Sequence, residues 1–512
     1  MQNRRNLLLA FTLALTLSAP ISAPAADSFR LLMGDSGIGN SAITASYKGA
    51  PGFGADIYLQ PCSESIKTDC IQSLSYQREN NSEWLNLTPD DKIKFPAAGV
   101  PRFGSSPNEI VAMLTAYPAD DSKNLPAGGM SPVYKDANAA RDDGVRYLIQ
   151  ARAQGSSPSD GKYTWFDMRL EIRPVSVIDY SKLNQFGFPT LQLLPTFQNA
   201  SKFKAELRSK ATKSLFAGWF YGRVLQPEFK ATPVSNEESI VEIVGSPLVT
   251  HIAQGDISFN DYSAIQTTSN SALPTARPGT SVSSFGATTG FANGSGAMKV
   301  WRLLNPFMKD SAASSISAFS IRTTKNSAVL TDYYPQGCQA SQSLDGVVST
   351  NATMYNPAPP SYDAKDGSLN FEVGSPHLDA TGKVIQGVYS MVLSSKIAKC
   401  IWGSDLTNSR ATVSIINDAG QTQVSTSALK ALNDFYYFHI SGFTYSTKKI
   451  SIRVEPTPIV TPTPTPSATP SATPSATPVS TQISRKITCV KGKAKKVVSG
   501  VKPVCPKGYK LR

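Results

Sequence analysis

A strict alternation of apolar and polar residues most constrains how this chain can fold. Near residue 150, one set of alternate positions is apolar or small: Val145, Tyr147, Ile149, Ala151 and Ala153. After the loop GSSPSDG, residues 166–173 alternate Phe166, Met168, Leu170 and Ile172 with Asp167, Arg169, Glu171 and Arg173. Because successive side chains of a strand point to opposite faces, the two runs predict a half-buried antiparallel hairpin. Residues 450–454 show the same period.

Helical patterns are few. Val300, Leu303, Leu304, Phe307 and Met308 have the spacing of one helical face, and Pro306 makes that helix short or kinked. The segment ASKFKAELRSKATKSLFAGW suggests a second helix. We therefore predict a mainly β protein with several antiparallel β-sandwich-like domains and a few short helices, followed by a disordered Pro/Thr linker and a small disulfide-stapled basic tail.

Composition divides the chain into seven segments. They are a signal peptide at 1–26, an N-terminal β domain at 27–122, a second β-rich domain at 123–260, a loop-rich segment with a short helix at 261–335, a C-terminal β domain at 336–454, a Pro/Thr/Ser-rich linker at 455–482 and a basic tail at 483–512. The leader has Arg4 and Arg5, a short apolar run and the small residues APAA, as a secretory signal does. A retained N-terminal anchor is the alternative. The proline-rich linker favours an extended polyproline conformation, which at ~3.1 Å per residue spans roughly 80 Å.

The net charge of +13 is concentrated at the C-terminus. Residues 483–512 carry ten cationic side chains and no acidic one. The leader holds two arginines, so 38 cations and all 37 acids lie in 27–482, which is close to neutral. A nucleic-acid-binding protein usually carries its basic face on a folded domain, whereas here the charge sits on a terminal appendage.

The six cysteines fall into three couples that are close in sequence. An even number of cysteines in an exported chain indicates disulfides, although six allow 15 connectivities. Pairing of nearest neighbours predicts the disulfides Cys62–Cys70, Cys338–Cys400 and Cys489–Cys505. Zinc is disfavoured because the chain has no Cys-x-x-Cys pair and its three histidines are distant from the cysteines. We expect neither a cofactor nor a metal.

The stretch GDSG, Gly34 to Gly37, raises the question of a serine nucleophile at Ser36. A serine triad needs a histidine base and an orienting carboxylate. Ser36 precedes every histidine, unlike trypsin-like proteases, and no aspartate stands three residues before a histidine, unlike GDSL esterases. We therefore expect Phe29–Met33 to be the first strand of the mature protein and Gly34–Gly37 its turn. No catalytic residue is assigned.

Other candidate sites have simpler interpretations. The doublets Asp90-Asp91, Asp120-Asp121 and Asp142-Asp143 are expected to be solvated loop charges, with a calcium site as the alternative. Asp363–Gly367 lacks the third acidic position of a calcium loop. The histidines His251, His377 and His439 are expected to be structural. The aromatic clusters Trp219–Tyr221 and Phe435–Phe438, with Tyr334, are expected to pack in the core rather than form a carbohydrate platform.

Four stretches together resemble a known group of proteins. They are CSESIKTDCIQSLSYQ with Trp84, GWFYGRVLQPEF with VEIVGSPLV, GVYSMVLSSKIAKCIWG continuing to FHISGFTYSTKKISIRV, and the tail ITCVKGKAKKVVSGVKPVCPKGYKLR. The chain resembles uncharacterised secreted proteins of actinomycete-type bacteria, which combine an exported β-rich body, a Pro/Thr linker and a short basic tail with a cysteine pair. The resemblance implies secretion and modularity and supplies no catalytic residue.

Taken together, these features predict a secreted cell-envelope protein that is structural, adhesive or ligand-binding. The alternative is an exported hydrolase that acts on wall polysaccharide or peptide. We expect the tail to bind anionic envelope polymers or a membrane surface through Lys491, Lys493, Lys495, Lys496, Lys502, Lys507 and Lys510, and the body to bind a carbohydrate or protein ligand. Nucleic acid is disfavoured because Tyr509 is the only aromatic residue of the tail available for stacking.

Overall fold

The computed structural model of the protein describes residues 28–34, 46–47, 54–93, 100–103, 110–113, 118–129, 131–156, 162–183, 189–210, 215–268, 282–285, 296–323, 338, 344–403, 406, 409–417, 420, 422–427, 429–445, 448–456, 485–491, 494–500 and 504–511. The chain divides into two compact units, Met1–Thr457 and Pro458–Arg512. The predicted signal peptide and all but the first two residues of the predicted linker lie outside the described residues.

Strands dominate the described residues, so the protein is mainly β with a few short helices. The strands of the first unit are β1 (Ser28–Met33), β2 (Ser46–Tyr47), β3 (Gly54–Tyr58), β4 (Cys70–Gln77), β5 (Leu85–Pro89), β6 (Val100–Phe103), β7 (Ile110–Met113), β8 (Val133–Asp136), β9 (Arg146–Ser156), β10 (Thr164–Leu183), β11 (Pro189–Leu193), β12 (Lys202–Lys210), β13 (Gly218–Pro233), β14 (Glu238–Ser258), β15 (Val282–Phe285), β16 (Met308–Thr323), β17 (Leu344–Thr350), β18 (Met354–Tyr355), β19 (Ser361–Asp363), β20 (Ser368–Gly374), β21 (Gln386–Ser394), β22 (Ser409–Asn417), β23 (Thr422–Ser427), β24 (Lys430–Leu432), β25 (Phe435–Thr444) and β26 (Lys448–Pro456). The second unit has β27 (Arg485–Lys491), β28 (Ala494–Gly500) and β29 (Lys510–Leu511). The helices are α1 (Phe259–Thr268), α2 (Gly296–Leu304) and α3 (Ser395–Trp402).

β9 and β10 form the antiparallel hairpin that the alternation predicts. Ile149 lies opposite Ile172 and Ala151 opposite Leu170, and all four side chains are fully buried. The prediction of a half-buried hairpin is wrong for the other face, where Glu171 is also fully buried. A charged face can be buried in this way only where partner groups compensate its charges.

Nine strands of the first unit pair in a closed circuit, each with the next and the last with the first. In order they are β9, β10, β16, β13, β14, β12, β4, β5 and β8. Each contributes buried apolar side chains to the largest core, which includes Ile149, Phe203 and Phe319. An edge strand leaves backbone N–H and C=O groups unpaired, and the closed circuit gives each of these nine strands a partner on both sides.

β12 corrects one prediction from the sequence. KFKAELRSK, residues 202–210, is a strand and not the expected helix, and its side chains alternate between buried and half-buried. Phe203 and Leu207 are four residues apart, a spacing that fits one helical face and also one strand face. Long-range pairing decides between the two, because β12 hydrogen-bonds to β4 on one edge and to β14 on the other.

A second core joins two sheets in the manner of a β-sandwich. β17, β21 and β25 contribute from the large sheet, and β20, β22 and β26 contribute from a six-stranded sheet. Ile450, Ile452 and Val454 are buried, while Ser451 and Arg453 between them are not. The alternation predicted near residue 450 is therefore confirmed.

A third core contains the helix that the sequence predicts around residue 300. α2 buries Val300, Trp301 and Leu304 against residues of β1 and β14. A 3₁₀ turn, Asn305–Phe307, follows directly and contains Pro306. The helix is short, as predicted, because proline cannot continue the hydrogen-bond ladder.

β1 begins the described chain as the expected first strand. It pairs with β14 in antiparallel and with β15 in parallel orientation. Gly34 follows it with a φ of 138°, and a Cβ there would lie 3.0 Å from the carbonyl oxygen of His251. This close approach explains a glycine at the end of the strand, while the rest of the predicted turn lies outside the described residues.

Strand pairs join the segments that composition separates. β4 pairs with β12 across the predicted boundary at 122, β13 pairs with β16 across the one at 260, and β13 pairs with β17 in parallel across both 260 and 335. The segments between 27 and 454 thus share sheets, and the finer domain limits stay a prediction.

Candidate functional site

The C-terminal tail folds as a three-stranded antiparallel sheet with β27 in the centre, between β28 and β29. Cys489 of β27 is fully buried and forms a disulfide with Cys505. A unit of this size cannot bury a substantial apolar core. The disulfide therefore supplies much of its stability, as disulfides do in small domains that lack a sufficient core.

The strand register sorts the tail lysines between two faces. Directly opposite residues of antiparallel strands point to the same face, and Val490 lies opposite Lys495 on one edge and Lys510 on the other. The two-residue period of the strands then assigns the neighbouring positions. The resulting lysine face consists of Lys486, Thr488, Val490, Lys495, Val497 and Lys510.

The opposite face carries the disulfide. Lys496 lies directly opposite Cys489, and Lys491 follows Cys489 by two residues, so both belong to this face. Lys491 passes close to Gly508, where φ is 90° and a Cβ would lie 3.4 Å from the lysine Nζ. Lys507 occupies the turn before β29, while the predicted binding residues Lys493 and Lys502 lie outside the described residues.

The tail has the electrostatics of a site for an anionic partner. All the lysines that the structure describes in it are exposed, and no acidic residue lies between 483 and 512 to neutralise them. A surface of one sign attracts and concentrates counter-charged ligands. Val497 and Val504 are 62% and 77% exposed, the highest values among large apolar side chains in the described part of the chain.

The structure contains the three disulfides at the predicted pairs. Cys62–Cys70 closes the short loop that precedes β4. Cys338–Cys400 joins residue 338 to α3 across 62 residues of sequence. No cysteine of the chain remains free. Disulfides of this kind persist in oxidising compartments.

The body contains two serine–histidine contacts that the sequence analysis missed. His251 Nδ1 lies 2.8 Å from Ser315 Oγ, and His439 Nδ1 lies 2.9 Å from Ser390 Oγ. Each pair is directly opposite on adjacent antiparallel strands. Their separations of 64 and 49 residues leave no local sequence signal.

These contacts lack the arrangement of a catalytic triad. Burial lowers the pKa of His251, although the nearby carboxylate of Asp379 opposes this shift. Asp379 Oδ1 accepts hydrogen bonds from the backbone N–H groups of Thr381 and Lys383, so it supports its own loop rather than orienting the imidazole. Ser390 is buried, and burial also lowers the pKa of His439. A nucleophile needs an accessible oxygen and a histidine held by a third group, so the pairs fit a structural role.

Ser36 lies outside the described residues. The third histidine, His377, has Nδ1 3.2 Å from the backbone carbonyl oxygen of Tyr445. No catalytic group is assigned from either residue.

The buried polar face of β10 is held together by ion pairs. Glu171 lies between Arg169 and Arg173 and pairs with both. Beside them, Asp167 accepts from Arg322 Nη2 at 2.7 Å. Desolvating a carboxylate is costly unless cations compensate it. Arg169, Arg173 and Arg322 therefore neutralise the buried carboxylates of the sheet.

One aspartate from each of two doublets contacts the same arginine. Arg146 Nε donates to Asp90 Oδ2 at 2.6 Å, and its Nη1 donates to Asp142 Oδ1 at 2.6 Å. The prediction of solvated charges is therefore wrong for Asp90, whose side chain is fully buried. Within the described ranges, no group of three or more His, Cys, Asp or Glu residues is placed to hold a metal ion.

The aspartates of the Asp120-Asp121 and Asp363–Gly367 segments lie in turns and contact lysines or backbone N–H groups. Asp120 Oδ2 lies 3.0 Å from Lys123 Nζ, and Asp121 pairs with Lys210. Asp363 Oδ1 accepts from the Lys365 backbone N–H. This is the usual way in which aspartates stabilise turns.

The aromatic clusters pack in the cores. Trp219, Phe220 and Tyr221 are at most 6% exposed, and residues 435–438 at most 9%. The packing interpretation is confirmed for these clusters, which present no aromatic platform at the surface. Tyr334 lies outside the described residues.

Comparison of the whole chain with models of known protein families found no match, and a search of curated proteins found no relative. Along the described stretches of the chain, no helix combines the length and the apolar character needed to cross a membrane.

Proposed function

We propose that this protein is a secreted component of the cell envelope that is retained there by electrostatic docking of its C-terminal tail on an anionic surface. The observation that carries the proposal is the tail sheet, in which every described lysine is exposed, within a segment that has no acidic side chain. Each lysine near an anionic membrane surface contributes up to about 1 kcal/mol of binding free energy.

The body supports a structural, adhesive or ligand-binding role. Several of its buried carboxylates pair with arginines, as Asp90 does with Arg146, and the aromatic clusters at 219–221 and 435–438 are buried. These groups stabilise a rigid β-rich unit. We propose that the body binds a carbohydrate or protein ligand.

Secretion is supported by three features. The leader has the composition of a signal peptide, and every cysteine is in a disulfide. The resemblance to secreted actinomycete-type proteins agrees with both. A location outside the cytoplasm follows as part of the same proposal.

Retention on isolated envelopes tests the proposed function. Protein without residues 1–26 is compared with the same protein ending at Gln482, so that the two differ only in the tail, residues 483–512, and the leader contributes to neither. We expect retention of the longer protein to fall steeply between roughly 50 and 500 mM salt, because screening shortens the Debye length from over 10 Å to below 5 Å. Equal wash-off of both proteins at low salt contradicts the proposal.

A further inference from the structure

Resting on the proposed function, we propose that the surface bound by the tail is an anionic lipid bilayer, and that the lysine face lies flat on it with Val497 directed into the boundary between headgroups and acyl chains. The lysine face is the side of the tail sheet defined above. The charge of the lysine face alone would allow any polyanion to bind, so the choice of a lipid bilayer needs further support.

Charge complementarity gives the first argument. Lys495 and Lys510 lie on the two outer strands, on either side of Val490. Since neighbouring strands are about 4.8 Å apart, the Cα atoms of these lysines are roughly 10 Å apart. Lys486 lies four residues before Val490 on the same strand, about 13 Å away. The three ammonium groups therefore border a flat area and can reach separate headgroup phosphates.

The position of Val497 gives the second argument. It follows Lys495 by two residues on β28 and lies opposite Thr488, so it stands between the lysines on the same face. Its side chain is 62% exposed. A polymer held by charge gains little from an apolar side chain at this position, whereas an interfacial lipid site combines cations with apolar residues that enter the membrane boundary.

The other face of the tail provides a matched control. Lys491 and Lys496 belong to the face that carries the disulfide, and Lys507 lies in the turn before β29. Replacing these three lysines removes as much charge as replacing Lys486, Lys495 and Lys510. Only the position of the lost charge differs between the two triple variants.

The test measures binding of protein without residues 1–26 to vesicles of phosphatidylcholine with and without phosphatidylglycerol. We expect binding only with phosphatidylglycerol, and loss of residues 483–512 to abolish it. The triple variant K486Q/K495Q/K510Q should bind about 100-fold more weakly, at roughly fivefold per lysine. The control variant K491Q/K496Q/K507Q should lose no more than about tenfold, because its charges are farther from the surface.

Val497→Ser tests the apolar contact separately. It should weaken vesicle binding roughly five- to tenfold, since it withdraws one partly inserted valine. Val249→Ser, the same change at an exposed valine of the body, should leave binding unchanged. A Val497→Ser protein that binds as well as the unaltered one overturns the insertion of Val497.

The remaining outcomes separate the two proposals. Equal weakening by the two triple variants overturns the lysine face as the contact surface. Salt-sensitive retention on envelopes without binding to phosphatidylglycerol vesicles overturns the lipid as partner and leaves the proposed function standing, with an anionic polymer as the occupant. Absence of both kinds of binding overturns both proposals.

Discussion

Arg146 donates its Nε–H to Asp90 Oδ2 at 2.6 Å, in an ion pair whose two side chains are 7% and 0% exposed. The two residues are 56 positions apart, and Asp142 accepts from the same guanidinium. Asp90 follows β5 and Arg146 begins β9, so the pair ties two parts of the closed strand circuit together. Asp91, the next residue, is 82% exposed and pairs with the half-buried Lys135.

Substitutions of the two neighbouring aspartates should therefore differ greatly in their effect on stability. Asp90→Ala should lower the free energy of unfolding by about 3 kcal/mol, because it leaves a buried guanidinium with incomplete compensation. Asp91→Ala should change it by less than about 0.5 kcal/mol, as exposed ion pairs usually do. Urea unfolding of both variants checks the prediction. Equal effects would show that burial does not distinguish the two carboxylates.

The protein should lose stability at mildly acidic pH because of His251 and His439, the two histidines in contact with serines. Burial lowers the pKa of His251 and His439 from the ordinary value of 6.5, so the unfolded chain binds protons more strongly than the folded chain. The stabilisation is complete above pH 6.5 and is lost as the pH falls from there towards the lowered pKa.

The double variant H251N/H439N tests this dependence. Asparagine can still bond Ser315 or Ser390 but does not titrate, so the melting temperature of the variant should fall less than that of the unaltered protein between pH 7 and about pH 5. Melting curves across this range provide the measurement. A pH profile identical in the two proteins would assign the acid sensitivity to other groups.

The tail should depend on its disulfide. Replacing Cys489 and Cys505 by serine should destabilise the tail unit by about 3 kcal/mol, the chain-entropy value for a loop of this size. Trypsin should then cut at the tail lysines much faster, as followed by mass spectrometry. The matched change of Cys62 and Cys70 should leave cleavage of the tail unaltered. A tail that resists trypsin without its disulfide would have a core that its size does not suggest.

Replacement of two glycines by alanine should reduce the stability of the protein by different amounts. A Cβ at Gly222 would lie 2.2 Å from the carbonyl oxygen of Ser320, where β13 pairs with β16, so Gly222→Ala should cost about 3 kcal/mol through overpacking. At Gly144, where φ is 84° and nothing lies within 4 Å of the added carbon, alanine should cost about 1 kcal/mol of backbone strain. Thermal melting ranks the two variants, and a milder effect at Gly222 would contradict the packing argument.

A fluorophosphonate probe should leave the purified protein unlabelled. Ser390 is buried, Ser315 contacts a histidine whose nearby carboxylate, Asp379, accepts from a backbone N–H of its own loop, and Ser36 has no partner base evident in the sequence. Labelling at any of the three that disappears after heat denaturation would favour the alternative of an exported hydrolase. Ser36→Ala should correspondingly change no hydrolytic activity.

The sequence by itself determined the features that depend on neighbours in the chain. The two-residue period gave the β9–β10 hairpin and the inward face of β26, and the spacing around Val300 gave α2, with Pro306 ending it. Sequence proximity was enough to predict the disulfide pairs. The absence of acidic residues from 483–512 was enough to predict the positive charge of the tail. Each of these follows from residues close to one another, because side-chain direction and chain reach are local properties.

Only the tertiary structure decided what covers each face and which strands meet. The local pattern of KFKAELRSK is compatible with a helix and with a strand. The segment is a strand because β4 and β14 form hydrogen bonds with both of its edges. Glu171 reads as a solvent-facing residue, yet it is fully buried between Arg169 and Arg173. The partners of Asp90, His251 and His439 stand across strands 49 to 64 residues away. Burial and long-range strand pairing are properties of the assembled sheets, so no pattern of neighbouring residues could predict them.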